Sequence, residues 1–96
     1  MIVVMNRITV AEGREEEFEQ TFLTRDRAVD KMTGFIDLQV LRPSEGRTYV
    51  VMTRWNSREA FDTWTSSEVF LSAHRKPSAG FAKSSSVLEI YEVLTS

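Results

Sequence analysis

Phe35–Trp55 reads FIDLQVLRPSEGRTYVVMTRW. Two runs rich in β-branched and aromatic residues, Phe35–Arg42 and Arg47–Trp55, flank Pro43-Ser44-Glu45-Gly46, a connection with the length and chemistry of an antiparallel hairpin loop. What surrounds the hairpin decides the fold. Upstream, Met1–Val10 alternates, with Ile2, Val4, Ile8 and Val10 on one face and Val3, Met5, Arg7 and Thr9 on the other, so it is a strand. After Gly13 the period changes. Phe18, Phe22, Arg25 and Val29 fall at i, i+4, i+7 and i+11, the stripe of an amphipathic helix over Arg14–Lys31 that Thr33 and Gly34 end. Glu15, Glu16 and Glu17 crowd its first turn, where the macrodipole favours negative charge.

Downstream, Asn56 followed by Glu59 resembles a capping box and opens a second helix carrying Ala60, Phe61 and Trp64. Ser66 and Ser67 offer a fresh cap for a short helix from Glu68 to about Arg75, with Phe70 and His74 four apart on one face before Pro77 and Gly80 stop it. Ser78–Ser86 reads as a small-residue loop and Val87–Leu94 as a last strand, apolar on both faces apart from its glutamates. The order β-α-β-β-α-β is the ferredoxin-like α+β arrangement, an antiparallel sheet with helices on one side. The other side would keep some of Val3, Met5, Tyr49, Val51, Trp55 and alternate residues of the last strand. That patch is too apolar for a monomer, so a sheet-to-sheet homodimer is expected, and Val51→Glu should break it if Val51 points outward.

Ninety-six residues make one domain, 1–96, with a core thin enough to gain from a partner. A 42% apolar and 27% charged composition excludes a disordered tail and a collagen-like polymer. No cysteine is present, which removes disulfides, thiolate metal sites and cysteine nucleophiles together. A net charge of −2 gives no attraction to nucleic acid or an anionic membrane, so neither partner is expected. The apolar stretch Met1–Met5 is too short for a signal or a membrane span, and the expected compartment is the cytoplasm.

Four residues stand out against this frame. His74 is the only histidine, hence the only imidazole available to a transition metal. It is either an ordinary helix histidine or a haem ligand, since a porphyrin fills four iron positions and leaves one for the protein. Trp64 is either core or the wall of a ligand pocket. Asn6 falls on the more apolar face of the first strand, where its amide must bond backbone, water or a ligand held over the sheet. Arg25, a cation on the inward stripe of the first helix, either reaches solvent or recognises an anion.

The run Asn6-Arg7-Ile8-Thr9-Val10, the stretch Phe22-Leu23-Thr24-Arg25, and above all Ala60–His74, AFDTWTSSEVFLSAH, resemble the haem-degrading monooxygenases of the IsdG type. These belong to the antibiotic-biosynthesis-monooxygenase superfamily, whose fold is a dimeric α+β barrel of ferredoxin-like units. The resemblance spans nearly the whole chain. It implies that His74 is the proximal iron ligand, Asn6 the distal amide that donates toward dioxygen, and Trp64 the bulky wall that distorts the porphyrin. Phe22 and Arg25 match pocket positions of some members, and Phe70, on the face of His74, joins them as a haem-binding candidate. Arg75, Lys76 and Lys83 are candidates for the propionates on charge alone. The resemblance further implies that haem is both cofactor and substrate, that dioxygen and an external electron donor or reductase are needed, and that no flavin or nicotinamide site is present. Superfamily relatives that oxidise aromatic polyketides or quinols without a cofactor keep the same fold, and so would a dimer that binds haem without degrading it.

Overall fold

The computed structural model describes residues 1–24, 27–68, 70 and 82–96. In chain order these form β1 (Ile2–Val10), α1 (Glu15–Leu23), a 3-10 turn (Ala28–Lys31), β2 (Phe35–Leu41), β3 (Thr48–Trp55), α2 (Arg58–Thr65) and β4 (Ala82–Glu92). The strands make one antiparallel sheet in the order β2-β3-β1-β4, the ferredoxin-like topology expected from the element order. Among the described residues no helix is long and apolar enough to cross a membrane.

The first helical stripe is divided. α1 stops at Leu23, and the chain resumes as the 3-10 turn, where one helix to Lys31 was expected. Threonine chemistry accounts for the stop: the Thr21 and Thr24 hydroxyls donate to the carbonyls of Glu17 and Gln20, four residues back, which loosens the last turn. The division has a consequence for packing. Phe18 and Val29 would be about 16 Å apart along a single helix, and here they fall in two different core clusters. Ile2, Val4, Val29, Trp55 and Phe61 form one; Val10, Phe18 and Tyr49 form the other.

α2 begins one residue later than its capping-box reading. Ser57, not Asn56, is the cap, its Oγ accepting from the Ala60 N–H at 3.2 Å. The Asn56 backbone N–H donates to the Gly34 carbonyl at 2.9 Å, which ties the end of β3 to the start of β2. Gly34 has a φ of +88°, and a Cβ there would lie 2.5 Å from the Ala60 Cβ, so only glycine lets the start of β2 approach α2 this closely. β4 begins at Ala82, inside the stretch expected to be a loop, and ends at Glu92.

Strand pairing corrects one assignment of face. Ile2 pairs with Trp55, Asn6 with Val51 and Ile8 with Tyr49, and directly paired residues share a face. Tyr49 and Trp55 are buried under the helices against Phe18 and Phe61, and Val51 packs with them. The face away from the helices therefore carries Val3, Met5, Val50, Met52, Leu41, Val87 and Tyr91 instead. Bulk explains the choice, since odd and even positions of β3 both include apolar residues and only the odd set holds the large aromatics that fill the layer between sheet and helices.

Candidate functional site

Asn6 sits in a gap between the two clusters. Along the helix-facing side of β1, Ile2 and Val4 belong to the first cluster, Ile8 and Val10 to the second, and Asn6 lies between them. Its Oδ1 is buried and meets no hydrogen-bond donor among the described residues. Such an orphan costs about 1–3 kcal/mol unless something supplies the bond. Across the sheet the amide shares a row with Val40, Val51 and Leu88, so its flanks are entirely apolar.

Trp64 is placed by α2. Phe61 points into the first cluster, and Trp64, three residues on and half-buried, packs against the cluster's edge. Its ring meets Phe70 edge-on, with centroids 5.5 Å apart and planes at 76°. Ser67 fixes this pair: its Oγ donates to the Trp64 carbonyl at 2.7 Å and accepts from the Phe70 N–H at 3.2 Å. The fresh cap expected at Ser66 or Ser67 is thus Ser67.

Phe22 stands on the other side, tilted against Phe18 with centroids 5.0 Å apart. It helps to line a cleft of about 540 Å³ with Leu23, Leu38, Val40, Arg27 and Arg42. Glu19 and Tyr49 close that cleft. Arg42 holds the Glu19 carboxylate through two hydrogen bonds of 2.9 and 2.5 Å, and the Tyr49 hydroxyl donates to the same carboxylate at 2.5 Å. Arg42 and then Tyr49 hold the Glu19 carboxyl below its ordinary range, while burial and the bond to Glu19 push the Tyr49 phenol up. This cluster was not legible in the sequence, because its members come from α1, β3 and the hairpin loop. Asn6 and Trp64 do not line the cleft. Val40 does, and the row Val40–Val51–Asn6 carries its floor two strands, about 10 Å, to the amide.

His74, Arg25, Arg75 and Lys76 lie outside the described residues, and Lys83 falls within β4 and not in a loop. The described part of the site thus offers an apolar sheet floor with one unsatisfied amide, an aromatic pair on one side and Phe22 on the other. Such a surface suits a flat, largely apolar molecule with a polar centre.

The family model for antibiotic biosynthesis monooxygenases matches residues 1–76. A heme oxygenase (mycobilin-producing) of Mycobacterium tuberculosis is 38% identical over 95 residues, covering 97% of this chain and 90% of the relative. The heme oxygenase (staphylobilin-producing) of Staphylococcus haemolyticus is 33% identical over 91 residues, covering 92% and 86%. Among solved structures, the heme-degrader MhuD of Mycobacterium tuberculosis, with two hemes bound in its active site, superposes with a TM-score of 0.86 at 31% identity, covering 100% of this chain and 98% of that one.

Proposed function

The chain belongs to the antibiotic biosynthesis monooxygenase family, and on that premise we propose that it is a haem-degrading monooxygenase, with haem as cofactor and substrate. The observation that carries the reading is the Asn6 side chain in the gap between the two core clusters, a polar group on an apolar floor whose Oδ1 is buried without a donor among the described residues. The residues fit the group: an apolar floor and aromatic walls accept the macrocycle, and one histidine is enough for the iron. Bound haem supplies the iron that activates dioxygen and the ring that is oxidised. Neutral His74 is the residue that would hold the iron. The Asn6 side chain would orient dioxygen by donating from its amide N–H. Trp64, kept in place by Phe70 and Ser67, would supply a bulky wall against the macrocycle.

Phe22, Phe70 and Arg25 complete the pocket in this reading, and dioxygen with an external electron donor completes the reaction. The assembly is a homodimer built on the sheet face away from the helices, and the compartment is the cytoplasm. Haem titration followed by absorbance, then addition of reductant in air, tests the whole reading. A Soret band that then bleaches as iron is released is the expected result. No band overturns the haem reading, and a band that survives reductant and air leaves a protein that only sequesters.

Two substitutions test the walls of the site. Asn6→Ala should bind haem with wild-type stoichiometry and degrade it roughly a hundredfold more slowly, the scale on which a single preorganised donor acts. Single-turnover bleaching rates check this, and equal rates would remove Asn6 from the mechanism. Trp64 acts by bulk, since no described residue accepts from its indole N–H. Trp64→Phe should therefore keep much of the activity, while Trp64→Ala loses it and carries a flatter haem. Out-of-plane modes in resonance Raman spectra report the distortion; modes indifferent to side-chain size would contradict the assignment.

A further inference from the structure

We propose that Leu88 is the rest on which the bound macrocycle lies beside Asn6, and that it selects which edge of the ring faces the amide; this rests on the haem reading above. Two placements put Leu88 on the helix-facing side of the sheet. It pairs directly with Asn6 across β1 and β4, and it lies two residues before Ile90, which packs into the cluster of Ile2, Val4 and Trp55. A leucine on that side of a sheet is expected to be covered. Leu88 is 56% exposed, whereas Ile2, Val4 and Val10 on the neighbouring strand are all buried.

The floor around the amide is therefore lopsided. On the β3 side Val51 is packed into the cluster of Phe18 and Tyr49, and on the β4 side Leu88 stands open. An exposed apolar side chain next to a buried polar atom without a partner matches a ligand whose rim is apolar and whose centre is polar. Such a ligand covers both at once. The open side is the one over which a ring larger than the gap would extend, so the branched Leu88 side chain would lie under that part of the ring and favour some of its orientations over others. The last strand's apolar residues on both faces hide this role in the sequence, because only the pairing with Asn6 tells Leu88 from Val87.

The experiment compares Leu88→Asp with Leu94→Asp, which places the same charge on the same end of the chain at a residue 92% exposed. Haem titration by absorbance should show Leu88→Asp binding at least about tenfold more weakly than wild type, because a carboxylate under the macrocycle loses its hydration, and Leu94→Asp binding as wild type does. Leu88→Ala, which leaves the fold undisturbed at an exposed position, should open the ring at a wider spread of meso positions than wild type. Unchanged affinity in Leu88→Asp, or an unchanged product distribution in Leu88→Ala, overturns the proposal while the haem reading stands. A wild-type protein with no Soret band overturns the haem reading itself.

Discussion

In His74→Ala, bound haem is expected to lose the absorption spectrum of histidine-ligated ferric iron, and turnover is expected to fall by more than about a hundredfold, since losing a mere outer-shell partner of a metal ligand already costs 10–100-fold. The chain has no other imidazole and no thiol. Among the other soft or phenolic donors, the Tyr49 and Tyr91 hydroxyls donate to Glu19 and Glu89, Met32 packs against the first core cluster, Met5 and Met52 lie on the far face of the sheet, and Met1 stands exposed at the start of the chain. Imidazole added to the solution should then restore the ligated spectrum, which a folding defect would not allow. A variant whose ferric spectrum matches wild type would end the proximal assignment.

How much of this was readable in the sequence depends on how one-sided each pattern is. Met1–Val10 alternates cleanly, so both its strand and the oddity of Asn6 were visible without any structure. Phe18, Phe22 and Val29 were correctly read as inward, but periodicity does not say whether a stripe lies on one helix or two, and the threonine hydroxyls that end α1 leave the period intact. β3 was harder still. Tyr49, Val51, Thr53 and Trp55 alternate with Thr48, Val50, Met52 and Arg54, and either set could face the core. The pairing of Arg54 with Asp37 on the outer face and the volume between sheet and helices settle it. Glu19, Arg42 and Tyr49 converge only through the fold. The roles proposed for Trp64 and His74 rest on family resemblance, since one tryptophan and one histidine at helical spacing carry little information by themselves.

The corrected face of β3 moves the test of the dimer from Val51 to Met52. Met5 and Met52 are direct cross-strand partners at the middle of the face away from the helices, with Val3, Val50, Val87 and Tyr91 around them. The charges on this face are already paired: Arg7 with Glu89 at 2.6 Å, and Arg54 with Asp37. Among the described residues, covering it hides no lone charge, and it removes apolar surface worth roughly 25 cal/mol per Å². Wild-type protein is expected to sediment as a dimer at micromolar concentration, and Met52→Glu as a folded monomer. An unpaired carboxylate buried in an interface costs about 3 kcal/mol or more, and two-fold symmetry buries two, so the dissociation constant should rise by roughly four decades. Val51→Glu should behave differently, unfolding the protein at lower temperature, because Val51 packs against the Phe18 cluster on the helix side. Sedimentation and melting measured on the same two variants separate these outcomes. A wild-type monomer across the micromolar range, or a Met52→Glu dimer as tight as wild type, would mean that this sheet face is not where two copies meet.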